Sequence, residues 1–349
     1  MEIIQSTVRK RKSYHVKVRY SILWECALGI AAVTNERLLD TLEVPESEWR
    51  QLKETLPKSL KEQLGYVQQH NTWKALLQLL HEVPDSTLDE FLTFIQTRSS
   101  SQIKFFCLPY IGEEFQEVRE QAANGDEHAL DQLKNVAADN PFFPQYMSFI
   151  VHVDVNELKN HLVNVMTQWY DEVVSHVEQE RIQILQTDYE EKMKMDTQLS
   201  SEEFVQWATG GIAYQPEPHV FNVLLIPQIC YRPWNIEADI EGTKVFYYPV
   251  SNASLSPNDP YAAPDFLVQK YKALGDDIRL KMVKILAEGD CSLQEMTEQL
   301  ALGKSTIHHH LKMLRAAKLV EMKGMKYSLR RQALSLMDKE LAKYLERSV

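Results

Sequence analysis

Residues 300–314 read LALGKSTIHHHLKML, and three different chemistries fit parts of that stretch. Gly303-Lys304-Ser305-Thr306 ends like a phosphate-binding loop. His308, His309 and His310 offer imidazoles to a metal, and the whole stretch could be a helix that reads DNA. A phosphate loop needs a second glycine five residues before the Gly of its GK[ST] end, after a strand. That position holds Glu298, inside a helical pattern, which argues against nucleotide binding. Consecutive histidines on a helix point about 100° apart, whereas positions i and i+4 converge on one ion. The DNA reading uses the residues that the others leave over. Ile307, Leu311 and Leu314 form one apolar stripe, and Ser305, Thr306, His309 and Lys312 share the opposite face with His308 at its edge. Small polar and basic groups there suit base edges and phosphates in a major groove. His310 lies one turn from Ile307 and Leu314, and packing is its expected role.

A second constellation is His152, Asp154, Glu157 and His161. Glu157 and His161 are spaced i, i+4 on a helical pattern. The favoured reading is a surface salt bridge, with a ligand or metal site as the alternative. No HExxH, GxSxG or GxGxxG motif is present, and no paired Cys/His pattern. Cys26, Cys107, Cys230 and Cys291 are scattered, so neither a disulfide framework nor a metal knuckle is implied, and reduced cytoplasmic thiols are expected. The expectation is a non-enzyme with no metal and no cofactor.

The elements that must position these residues divide by charge. The chain of 349 residues carries a net charge of −11, which alone would argue against nucleic acid. Residues 266–330, however, hold 12 Lys+Arg against 7 Asp+Glu, and residues 331–349 hold 4 against 3. Residues 1–265 then hold 22 against 39. A basic segment following a strongly acidic body confines nucleic-acid contact to the basic part. The apolar run CALGIAAV (26–33) is far too short for a membrane helix, and the basic MEIIQSTVRKRK does not read as a signal peptide. Its RKRK (9–12) is expected to guard an exposed strand edge.

Residues 14–20, YHVKVRY, alternate as a half-buried strand. Helical patterns punctuated by prolines follow to about residue 138 and predict some five or six short helices. NPFFPQY (140–146) reads as a break. A long helical pattern then spans Asn156 to Met195, with a kink expected near 186–189 because about 40 residues would reach about 60 Å. HVFNVLLIPQICYRPWN and TKVFYYPVS read as two strands, and the Pro/Ser/Asn-rich 251–264 as a boundary. The domains expected are 1–262, an acidic α+β domain whose small sheet joins its two ends, and 263–349. The fold class is α+β, predominantly helical.

In the second domain 265–287 reads as a helix. Ser292 with Glu295 three residues on is a capping box for a helix over 293–301. A short turn leads to a second helix over 304–317, and LVEMKGMKYSL forms a hairpin turning at Lys323-Gly324. This order is a winged helix-turn-helix. Residues 331–347 form an amphipathic helix with Leu334, Met337, Leu341 and Tyr344 in line.

The stretch KALGDDIRLKMVKIL, followed by SLQEMTEQLALGKSTIHHHLKMLRAAKLVEMKGMKYSL, resembles the ArsR-type winged-helix transcription regulators over about 65 residues. Gly303 departs from it, standing where that family usually has Ser. Metal sites of that family use Cys pairs before the turn or Asp/His/Glu sets in the last helix, and neither set is complete here. YSILWE (20–25), LLIPQICYRPW (224–234) and FYYP (246–249) resemble the larger subgroup with an uncharacterised N-terminal domain. The resemblance implies a cytoplasmic homodimer on an inverted-repeat operator, a repressor rather than an activator. Residues 265–274 and the last helix, through Leu334, Met337, Leu341 and Tyr344, would make the two-fold contact.

The DNA-binding set expected is Lys304, Ser305, Thr306, His308, His309 and Lys312, with Lys323 and Lys326 on the wing meeting phosphate. The partners expected are double-stranded DNA, a second copy of the chain and a small-molecule effector held in the first domain, with no membrane. Trp24, Tyr231, Trp234, Tyr247 and Tyr248 are the candidate pocket residues. The rival reading is a structural or protein-interaction module whose head no longer reads DNA.

Overall fold

The computed structural model describes residues 13–195, 199–256, 259, 261 and 263–345. The expectation for RKRK (9–12) lies outside them. The front of the chain is built on a four-stranded sheet in the order β1 (His15–Val18), β2 (Asn222–Gln228), β4 (Thr243–Pro249), β3 (Ile236–Ile240). β1 and β4 flank β2 in parallel, and β3 closes the edge antiparallel to β4. Parallel neighbours need a crossover. Between β1 and β2 that crossover is the whole helical body, which is why the sheet joins residues near both ends of the front segment.

Alternation along the two central strands sorts their side chains onto two cores. Leu224, Ile226, Val245 and Tyr247 face the helical body, with Trp24, Leu28 and Trp169. Val223, Leu225, Phe246 and Tyr248 face the other side, against Tyr14, Phe204 and Val205. Neither β3 nor the helix Ser201–Ala208 that carries Phe204 was expected. β3 left a short alternation as its signal, with Ile236, Ala238 and Ile240 inward and Glu237 and Asp239 exposed.

The helical body departs from expectation in three places. Eight α-helices, not five or six, run between Ile22 and Val136. Several of their junctions carry no proline: Asn71 turns left-handed at φ 56°, and Ser99 starts a new helix through a capping box with Gln102. The break expected at 140–146 begins a helix, Phe143–His152, because Pro144 sits in its first turn, where its missing N–H costs nothing. The long helix is interrupted at 170–177 rather than 186–189. A π turn (Tyr170–Val174) and a 3-10 turn (Ser175–Val177) separate Val155–Trp169 from Glu178–Met195. The five-residue π repeat keeps Trp169 and Val174, both buried, on one face. Asp188 holds the second helix through the expected kink by accepting from Tyr248 Oη (2.8 Å) and from the Ser251 N–H (2.8 Å).

The two segments resembling the larger subgroup meet in space. Glu25, buried in the helix Ile22–Thr34, accepts the backbone N–H groups of Ile229 and Cys230, both at 2.9 Å, and so caps the end of β2.

Residues 264–345 form a separate core of Met282, Leu286, Met296, Ile307, Leu311, Leu314, Leu319 and Tyr327. The single helix expected over 265–287 is two, Asp265–Leu274 and Asp277–Glu288. Asp276 caps the second by accepting the Arg279 N–H at 3.0 Å. The last helix is also divided, into Arg331–Ser335 and Met337–Leu345.

Candidate nucleic-acid interface

Ser292 accepts the Glu295 N–H (3.2 Å) and Glu295 accepts the Ser292 N–H (2.7 Å). This capping box starts the supporting helix Leu293–Leu300 where expected. Ala301 then turns left-handed (φ 53°), and Gly303 caps the second helix, Lys304–Ala316, without a side-chain bond. Ile307, Leu311 and Leu314 are wholly buried. Burying one face fixes the rotation of the helix, so Lys304, Ser305, Thr306, His308 and His309 stand exposed on the other. The wing follows as β6 (Val320–Lys323) and β7 (Lys326–Leu329), turning at Gly324 (φ 62°) with Met325 at the tip. A strand the sequence did not show, β5 (Cys291–Ser292), pairs with β7 and ties the wing to the start of the supporting helix.

Helix, left-handed turn, helix and wing are thus assembled on one small core. Residues 276–322 match the family of bacterial regulatory proteins of the arsR type. The match runs from the Asp276 cap through the helix Lys304–Ala316 into β6, the part of the chain that presents the exposed polar face. Comparison with curated proteins and with solved structures found no match. An ArsR-type head points to DNA binding and transcription regulation.

Within this head His310 is largely buried, 3.5 Å from Arg279 and 3.8 Å from Asp276. Burial pushes its pKa below the ordinary histidine value, and the ring packs beside the Asp276 cap rather than joining the exposed face. Lys312 is the least exposed of the residues expected to bind DNA, with 23% of its side chain accessible. Its Nζ donates to the carbonyl of Arg37 in the front segment (3.1 Å). Lys323 and Lys326 project from the wing, near Glu321 (3.2 Å) and Glu295 (3.8 Å) respectively. Among the described residues no three His, Cys, Asp or Glu side chains cluster as a metal site would require.

The residues expected at the dimer contact are partly engaged within the chain. Met337 belongs to the head's core and Leu334 packs against it, while Tyr344 Oη donates to the Tyr261 carbonyl (2.7 Å). Leu341 is half-buried. Lys270, buried in the helix Asp265–Leu274, grips both Glu340 oxygens at 2.7 Å and pins the last helix there. Phe266, Tyr271 and Leu345 leave apolar surface exposed on these same two helices.

Four of the five candidate pocket residues, Trp24, Tyr231, Tyr247 and Tyr248, are buried in core. Tyr247 Oη bonds His81 (2.8 Å), whose pKa burial pushes down to about 4. Trp234 stands on a cavity wall. That cleft, about 480 Å³, lies between the front segment and the head, and its walls include Asp40, Trp234, Val268, Lys272, Lys312 and Met313.

The second constellation is not brought together. His152 pairs with Glu127 (2.9 Å), Asp154 caps the following helix, and Glu157 accepts from Tyr66 Oη (2.7 Å). The expected Glu157–His161 salt bridge does not form, because His161 is buried. Gln63 Oε1 can only accept, so His161 Nδ1 carries the proton (2.6 Å) and Nε2 accepts from Thr72 (2.8 Å). Burial accordingly lowers its pKa to about 4.

Proposed function

We infer that the chain is a sequence-specific DNA-binding regulator of two domains, dividing near residue 262. The observation that carries this is the exposed face of the helix Lys304–Ala316, held rigidly by three buried aliphatic residues on its far side. Lys304, Lys323 and Lys326 would contact phosphates, and Ser305, Thr306, His308 and His309 base edges. Phe266, Tyr271 and Leu345 support a two-fold contact through the terminal helices of the head, beside Leu341 and Tyr344. Such a homodimer sets two reading helices about 34 Å apart and selects an inverted repeat. Repression follows where that repeat overlaps a promoter, and the reading includes a cytoplasmic location. An effector is best accommodated in the cleft beside Trp234, since a molecule there touches both domains. A helix long and apolar enough to cross a membrane is absent among the described residues.

The test is retention of fragmented source DNA at about 0.15 M salt. The wild-type chain should retain a subset of fragments against excess competitor, as a dimer by light scattering, and the triple variant Ser305→Ala, Thr306→Ala, His309→Ala should lose that subset. Equal retention by both would refute the reading. The contact between Lys312 and the Arg37 carbonyl favours a second reading, a head that binds protein instead, in which neither chain retains DNA selectively.

A further inference from the structure

Two members of the reading face already have partners. Asp40 places Oδ2 3.9 Å from His309 Nδ1 and Oδ1 4.0 Å from Lys312 Nζ, and the same Nζ bonds the Arg37 carbonyl. Asp40 sits in the 3-10 turn Leu39–Thr41, which is fixed from behind. Thr41 Oγ1 accepts from Trp234 Nε1 (2.9 Å) and donates to the Leu38 carbonyl (2.7 Å). Glu43 takes the buried Arg232 on one oxygen (2.8 Å) and Gln269 of the head on the other (2.9 Å). Farther along the same seam, Arg330 donates to the Gly211 carbonyl, and Lys318 lies so close that a methyl on Gly210 would sit 3.4 Å from its Nζ.

We propose that the turn around Asp40 is a latch: it holds the head by groups that would otherwise meet DNA, and it must let go before the whole reading face can enter a groove. The proposal rests on the DNA reading above. An acidic turn against His309 and Lys312 occupies the place of a phosphate, and the negative front segment behind it repels the duplex. The hold is also reversible by construction. The contacts of Asp40 with His309 and Lys312 are long and partly exposed, a class of contact that contributes little each, and the cleft of about 480 Å³ leaves the two surfaces incompletely packed. A chain divided between closed and open forms binds DNA with an affinity reduced by the closed fraction.

The experiment uses the full chain with Asp40→Asn, and Glu36→Gln as a charge control. Glu36 belongs to the same loop but pairs with Lys53 (3.1 Å). Hydrogen exchange is read without DNA at residues 37–43 and 304–316, and affinity by anisotropy with duplex fragments. Asp40→Asn should speed exchange in both segments and tighten binding about fivefold or more, and Glu36→Gln should do neither. Lys312→Met should speed the same exchange from the helix side. The latch is overturned if exchange is unchanged in both latch variants, or if the two acid-to-amide changes raise affinity equally, which would be net charge alone. Absence of DNA binding by every variant would instead remove the DNA reading, while exchange would still decide the latch.

Discussion

Replacing Lys326 with alanine gives the most quantitative handle on the interface. Lys326 stands on β7 with 52% of its side chain exposed, Lys323 shows 61%, and Lys304 is exposed at the start of the reading helix. With Lys312, freed when the latch lets go, four lysines on each of two heads reach about eight phosphates. At about 0.9 released counterions per phosphate, log K should fall against log salt with a slope of about −7. Removing Lys326 from both heads deletes two of these contacts and should make the slope shallower by about 1.8. Taking 1 M salt as the point where counterion release contributes nothing, each lost contact lowers log K by about 0.7 at 0.15 M, so the variant should bind about 30-fold weaker. The assay is fluorescence anisotropy of a labelled duplex from about 0.1 to 0.4 M salt, on a preferred and an unrelated sequence. The loss should be the same on both. An unchanged slope, or a loss confined to the preferred sequence, would refute the assignment of the wing to the phosphate backbone.

Three further outcomes follow from the structure. Leu311→Ala empties a wholly buried position in the head's core and should cost about 2–5 kcal/mol, read by chemical denaturation; a cost below about 1 kcal/mol would mean that the core is not packed as described. His309→Ala should change which fragments are retained while leaving the salt slope alone, and an unchanged preference would remove His309 from the reading set. Lys318 has its pKa pushed down to about 7, first by burial and then by the charges of Arg330 and Lys270. Below about pH 7 the ammonium is charged in both folded and unfolded chains and its full penalty is present. That penalty is relieved as pH rises towards the unfolded value of about 10.4. The melting temperature of Lys318→Met relative to wild type should therefore be highest near pH 7 and decline towards pH 10, and a pH-independent difference would contradict this.

The head was largely legible in the sequence because its signals are local. Ser292 with Glu295, the Ile307/Leu311/Leu314 stripe and the Lys323-Gly324 turn each specify structure within a few residues, and the structure uses all three. β5 escaped because two residues carry no period, and the helix over 265–287 was read through its Asp276 cap because apolar residues continue on both sides. The front segment was harder. Helix junctions such as Asn71 use a left-handed residue rather than proline, and the π turn at Tyr170–Val174 is visible only once Trp169 and Val174 are seen to share a core. Tyr247 and Tyr248 read as one aromatic cluster, yet strand alternation sends them to opposite cores. The contact between Asp40 and the reading helix joins residues roughly 270 apart in sequence, so no local pattern could announce it.

The face opposite Ile307, Leu311 and Leu314 is proposed to read DNA. Its most direct test is selection of fragmented source DNA by the purified full-length chain at about 0.15 M salt, with the bound fragments sequenced. A short inverted repeat with half-sites one helical turn apart should be enriched, and the enrichment should be reduced or altered when His309 is replaced. A flat profile for both the wild-type chain and Asp40→Asn, with the latch released, would contradict it.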